Sequence, residues 1–157
     1  MNAEQRIMQE RENWRKDRPL GFVAKPLTNA DKTLDLFRWH CSMPGPESSP
    51  FAGHTLSLLV EFFATYPASA PQVKFITKVF HPNVYADGFV CLDILASEWS
   101  PSLNIKTILL AVHALLEEPN IDSPANEEAA SLYVERPEKY IRLAIKALAQ
   151  KKPKPRA

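Results

Sequence analysis

The strongest periodicity in the chain lies between Ile105 and Leu116, where Ile105, Ile108, Leu109, Val112, Leu115 and Leu116 recur at three- and four-residue steps. That spacing places all six on one stripe of a helix. Ser102 or Asn104 supplies the capping side chain, and Pro119 lies beyond the end. Upstream the period is two. In TLDLFRWHCSM, Phe37, Trp39, Cys41 and Met43 alternate with polar positions, which predicts a strand with Cys41 pointing inward. Leu56, Leu58, Val60 and Phe62 share one face of HTLSLLVEFF, and Val73 and Phe75 one face of QVKFI. A shorter strand at residues 22–25 is bracketed by Gly21 and Pro26. Short connections between successive strands favour an antiparallel meander.

Helices frame the strands. Asn2 is placed to cap a charged helix running to about Lys16, with Ala3, Ile7 and Trp14 on its inner face. Two shorter helices follow the central one: residues 126–134, and a second opening at Pro137 and carrying Tyr140, Ile141, Ala144 and Leu148. The fold class is α+β, in the order helix, four strands, irregular segment, three helices. The irregular segment, residues 77–103, is too rich in Phe, Val, Leu, Ile and Trp to be disordered, so its length points to function.

Composition narrows the classes. A chain of 157 residues, 45% hydrophobic, is read as one domain over residues 1–150. Residues 151–157 form a basic, Pro-interrupted tail read as solvated and disordered. A net charge of +1 gives no overall polyanion binder, so no nucleic acid is expected as a partner. No apolar run suits a signal peptide or membrane span and no glycosylation sequon occurs, so the expected setting is intracellular, with no membrane partner. Both cysteines, Cys41 and Cys91, are then free thiols. No CxxC or HxxxH pair suggests a metal.

Cys91 raises the question of chemistry. It follows Pro82, Asn83 and Gly88 in a segment whose shape is prescribed by turn residues, whereas Cys41 reads as a small buried hydrophobe. A Cys-His hydrolase needs an oriented imidazole. His40, His54, His81 and His113 are the candidates, and His81, in front of a proline, reads as a structural hydrogen-bonder. A lone thiol without a base suits another task, carrying an acyl group as a thioester and surrendering it to an amine.

HPNVYADGFVCLDIL, then Trp99-Ser100-Pro101 and EEPNIDSPA, resembles the signature of ubiquitin-conjugating enzymes over nearly the whole chain. The resemblance implies that family's fold: an N-terminal helix, a four-stranded antiparallel meander, a catalytic loop and three helices. It implies that an activating enzyme passes a ubiquitin-like protein's C-terminal glycine to Cys91 as a thioester, which a substrate lysine then attacks. No cofactor is implied, since ATP is used by the activating enzyme upstream. Asn83 matches the family's proposed oxyanion donor, the alternative being that it braces its own loop. Ser123 stands where the family has Asp or Ser to receive the lysine, with Asp122 a second candidate, and Tyr85 matches a tyrosine bordering the lysine channel. The implied partners are the modifier, the activating enzyme, ligases and substrate proteins. The implied setting is a monomer in nucleus and cytoplasm.

RENWRKDRPLGF resembles the SUMO-conjugating branch, with Arg11, Trp14, Arg15, Lys16 and Arg18 forming a patch for modifier and activating enzyme. Charge alone would read a solvated helix face. TNADKT, Ala68, NVY and EPNI also fit that branch, whereas CLDILASEWSPSL reads like a ubiquitin carrier. The branch's substrate groove corresponds to Asp87, Phe89, Glu127, Ala130 and Ser131, and Phe89, Glu127 and Ala130 depart from its usual choices. SUMO is the favoured modifier, with ubiquitin the alternative. An inactive binding module of the same fold is the third reading, although such variants typically lack the cysteine. A thiol hydrolase is the fourth.

Overall fold

The first helix, α1 (Ala3–Lys16), starts where its capping residues dictate. Gln5 N–H donates to Asn2 Oδ1 at 2.9 Å and Asn2 N–H to Gln5 Oε1 at 3.0 Å, so two donors that a helix start would leave bare are satisfied reciprocally. Arg15 and Lys16 in the last turn suit the negative end of the helix dipole. This computed structural model describes residues 1–150, so the basic tail at 151–157 lies outside the described residues.

Four strands follow: β1 (Val23–Thr28), β2 (Leu34–Pro44), β3 (Thr55–Glu61) and β4 (Gln72–Phe75). They form one antiparallel sheet in sequence order, the meander expected from the short connections. Register sets the inner face. Trp39 pairs with Val60, Cys41 with Leu58 and Met43 with Leu56, and Val60 and Leu58 pair on with Val73 and Phe75. All are buried, Cys41 included, and burial pushes the Cys41 thiol up to about 12. β1 runs past Pro26, where the sequence suggested a stop. It can do so because β1 is an edge strand and its pairing shifts between Pro26 and Leu27, so the missing N–H is tolerated there.

The inner face meets α2 (Ile105–Glu117), capped by Asn104 rather than Ser102 through a 2.9 Å bond from Thr107 N–H. All six stripe residues of α2 are buried in one core cluster with the sheet. Each such side chain stabilises the fold by about 1.5–3 kcal/mol relative to exposure. α3 (Glu127–Glu135) is capped by Asn126, and α4 (Pro137–Leu148) opens on its proline. Tyr140, Ala144 and Ala147 form the inner side of α4, while Ile141, expected on that side, is 44% exposed.

A charged residue that the sequence reading did not single out proves central. Glu10 is buried; its Oε1 accepts Ile105 N–H at 2.8 Å and its Oε2 accepts Arg6 Nε–H at 2.8 Å and the Tyr66 hydroxyl. Arg6 also donates to Pro101 O at 2.9 Å and Leu103 O at 2.8 Å. α1 is thereby clamped to the start of α2 and to the end of the irregular segment.

Candidate active site

The irregular segment is ordered by its own polar side chains. His81 is fully buried; its Nδ1 accepts Asn83 N–H at 2.9 Å, which leaves Nε2–H to donate to Leu115 O of α2 at 2.8 Å. Burial drives the imidazole's pKa down to about 4, so the ring is neutral and both nitrogens are engaged. It braces the loop, as its place before Pro82 suggested, and has no nitrogen left to activate a thiol.

Asn83 continues the brace. Its Oδ1 accepts Asn120 N–H at 2.8 Å and its Nδ2 donates to Asn120 O at 2.7 Å, a two-way pairing of side-chain amide with backbone. Its own carbonyl accepts Cys91 N–H at 2.8 Å. Between them the chain turns sharply: Gly88 takes φ +99° and donates to Tyr85 O at 2.8 Å, while Tyr85 N–H donates to Phe89 O at 2.9 Å. The returning arm docks on β4 through Phe75 N–H to Gly88 O (2.8 Å) and Val90 N–H to Val73 O (3.1 Å). Cys91 therefore closes a small hairpin opposite Asn83 and is half-buried, which is why it follows two turns instead of lying within a strand or helix.

A second segment is tied to the same point. Ala125 and Asn126 N–H donate to Pro82 O at 2.8 and 3.0 Å, and Asn120 is held by Asn83, so residues 120–126 are pinned at both ends to residues 82–83. Asp122 and Ser123 are exposed within that span, and Asp122 N–H donates to Asn120 Oδ1 at 3.1 Å. Tyr85 is 48% exposed, and its phenol is held above the usual tyrosine range, first by the negative charge of the neighbouring Cys91. Hydrogen bonds thus link the segments that carry Cys91, Asn83, Tyr85 and Asp122, and Ser123 lies exposed in the second of them. Asn120, the keystone of these links, entered the sequence reading only as a letter of EEPNIDSPA and was given no role there.

The other predicted residues divide. Arg15, Lys16 and Arg18 are exposed and Arg11 half-buried, but Trp14 is 3% exposed and packs in the core, which removes it from any surface patch. Arg11 and Arg15 line a groove of about 940 Å³ together with Lys32 of the β1–β2 turn, a cation the sequence reading did not single out. Asp87, Glu127 and Ser131 are exposed, and half-buried Phe89 carries Lys74 Nζ at 5.3 Å from its ring centre. Ala130 is buried and contributes packing rather than a groove surface.

The family pattern described as ubiquitin-conjugating enzyme matches residues 6–148. The chain is 42% identical over 152 residues to the Sumo-conjugating enzyme ubc9 of Dictyostelium discoideum, covering 96% of this chain and 95% of that protein. It is also 42% identical over 137 residues to the SUMO-conjugating enzyme UBC9 of Caenorhabditis elegans, covering 86% of this chain and 82% of that one.

Proposed function

The chain belongs to the ubiquitin-conjugating enzyme family, and from that premise we propose that it carries SUMO as a thioester on Cys91 and transfers it to substrate lysines as an isopeptide. The observation that carries the choice of modifier is the similarity to SUMO-conjugating enzymes along 96% of the chain.

In loading, the Cys91 thiolate attacks the modifier's C-terminal carbonyl on the activating enzyme, and that enzyme's thiolate leaves. ATP is used upstream, and neither cofactor nor metal takes part at Cys91. In transfer, a neutral lysine amine attacks the thioester and negative charge develops on the carbonyl oxygen. Asn83 Nδ2 carries two hydrogens and spends one on Asn120 O; the second is assigned to the oxyanion. Bracing and oxyanion donation are then compatible roles for one amide. Asp122 and Ser123 offer oxygen acceptors that orient the incoming ammonium, the Asp122 carboxylate or water takes up its proton, and Tyr85 borders its path.

Arg11, Arg15, Lys16 and Arg18 serve as the contact for modifier and activating enzyme, with Trp14 anchoring their helix from within. Asp87, Phe89, Glu127 and Ser131 meet the substrate chain. The enzyme works as a monomer in nucleus and cytoplasm, with ligases as further partners and no role for nucleic acid or membrane. Ubiquitin is the second reading, supported by CLDILASEWSPSL.

The test is a thioester assay with purified protein, ATP and matched activating enzyme and modifier for SUMO and for ubiquitin, resolved on non-reducing gels beside Cys91→Ser. SUMO loading alone, lost on reduction, is the expected result. Ubiquitin loading alone would overturn the choice of modifier, and loading of neither would overturn the activity.

A further inference from the structure

The hairpin that carries Cys91 sorts its side chains by alternation. Val84 pairs with Val90 across it, Tyr85 N–H donates to Phe89 O, and Cys91 N–H donates to Asn83 O. Successive side chains of paired extended segments point to opposite faces. Val84 and Val90 take the inner face and are buried, so Asn83, Tyr85, Phe89 and Cys91 share the other one. Phe89 is half-buried and stands two places from Cys91 on that face. In an extended peptide, side chains two places apart also point the same way. A substrate whose lysine reaches Cys91 therefore presents the residue two places from that lysine to the Phe89 ring.

Charge around the ring is one-sided. Between Lys78 and Lys106, and again between Lys106 and Arg136, the sequence holds no Lys or Arg. Asp87 lies in the hairpin turn, where its Oδ1 accepts Phe89 N–H at 3.3 Å, so its carboxylate is tied to the residue that bears the ring. Asp122 lies in the segment held by Asn83, and Glu127 follows directly on Asn126, which is bonded to Pro82 O. All three carboxylates are exposed, and none is in an ion pair among the described residues. Lys74 of β4 pairs with Phe89, and its Nζ is spent on the ring, 5.3 Å from the centre. That contact shows what the ring attracts, namely a cation. Lys78 and Lys146 lie with Glu128 in the cleft lined by Tyr85, Ala86 and Gly88, which includes neither Phe89 nor Asp87.

We infer that this face selects acceptor lysines with a basic residue two places away in the substrate chain, arginine above all: Asp87 takes the guanidinium, and the Phe89 ring takes its flat face or its methylene stem. The inference rests on the reading of Cys91 as a thioester carrier and names the substrate class of that site. Arginine suits both partners at once, because its planar group stacks on aromatic rings and bonds a carboxylate through two N–H groups. Asp122 and Glu127 add attraction at longer range. A glutamate in the same place meets like charges. Asp87 and Phe89 are thus specificity-determining residues, while the transfer chemistry at Cys91 is the same for every lysine.

The experiment charges the full-length protein with the modifier and its activating enzyme, removes ATP, and chases the thioester with two end-blocked peptides. Each holds a single lysine, one with arginine and the other with glutamate two places to either side. Loss of thioester and gain of a reduction-stable peptide adduct are followed together. The expected result is discharge about tenfold faster to the arginine peptide at low salt, the combined size of a cation–ring contact and an exposed ion pair. That preference shrinks as ionic strength rises. Because it is a ratio, a variant slowed overall by a disturbed hairpin still reports it. Asp87→Asn keeps an oxygen for Phe89 N–H and Phe89→Leu keeps an apolar side chain, yet each lowers the ratio about threefold or more. Equal or reversed rates for the two peptides overturn the inference and leave the reading of Cys91 standing. A preference that survives both substitutions undiminished overturns it as well. Failure to form any thioester overturns the reading of Cys91 and the inference with it.

Discussion

Two buried polar networks hold this molecule together, and they are built from opposite materials. Around Glu10 the groups are charged: a carboxylate receives Arg6, the Tyr66 hydroxyl and the first N–H of α2. Around Asn83 they are neutral: an imidazole, a side-chain amide and backbone carbonyls. The difference follows from what each must coexist with. The Glu10 hub joins α1 to α2, and a charge there needs only its own partners. The Asn83 brace holds the loop of the thiol proposed to react as an anion, where a carboxylate buried within the brace itself would oppose thiolate and oxyanion alike. Neutral amides can set geometry to within hydrogen-bond tolerance without adding a net charge.

The contrast breaks most visibly at the charged end. Glu10→Ala leaves Arg6 without its carboxylate, with its guanidinium still bonded to Pro101 and Leu103 carbonyls, and strips the Tyr66 hydroxyl and Ile105 N–H of their acceptor. Arg6 is half-buried and keeps its carbonyl bonds, so the loss lies toward the lower end of the about 3–5 kcal/mol that breaking a fully buried pair costs, read as a lower midpoint in urea unfolding. Glu10→Gln should cost less, because its remaining oxygen still accepts Ile105 N–H. Equal losses for the two variants would mean that the charge, not the helix contact, carries the clamp.

Asn83→Ala tests the neutral end, and there the main loss falls on rate. Removing one oxyanion donor slows catalysis about 10²- to 10³-fold, while the broken pairing to Asn120 costs about 1–3 kcal/mol of stability. The expected pattern is a protein that still loads its thioester but discharges it slowly to free lysine, measured in single-turnover chase reactions. Asn83→Asp sharpens the point, since it can keep the acceptor for Asn120 N–H yet brings the negative charge that the native brace avoids. If both variants discharged at the native rate while losing stability, Asn83 would be a brace and nothing more.

How far the sequence revealed these networks depended on the distance between partners. The strands and helices followed from period-two and period-3.6 patterns, and the six-residue stripe of α2 was legible because helical neighbours lie three or four positions apart. Glu10 was legible in principle: residues 3, 7, 10 and 14 form one helical stripe, so its position marked it as inward while its chemistry marked it as outward. The extension of β1 past Pro26 was not legible, because tolerance of a proline depends on being an edge strand. Cys91 was singled out through its motif and its turn residues. The pairing of Asn83 with Asn120 spans 37 positions and leaves no periodic trace. Likewise Trp14 reads as surface or core from the same letters, and only packing decides.

His81 gives the sharpest remaining separation of the two networks, because acid should act on the neutral one through a group that the charged one lacks. Its folded pKa is about 4, against about 6.5 for an unperturbed imidazole. Between those values the unfolded chain binds a proton that the folded chain refuses, so stability from this group is complete above about pH 6.5 and declines as pH falls toward 4. That difference corresponds to about 3 kcal/mol when fully titrated. Protonation would place a hydrogen on Nδ1, where Asn83 N–H now donates, so the loop bearing Cys91 must open before the ring can charge. Denaturant midpoints between pH 7 and 4 should therefore fall steeply in the native protein. They should fall less in His81→Gln, which starts less stable but has no imidazole to titrate. Hydrogen exchange should show the earliest loss of protection at Asn83 and Cys91. Parallel acid slopes in the two proteins would assign the acid sensitivity to other titrating groups, and the neutral brace would then carry no pH dependence of its own.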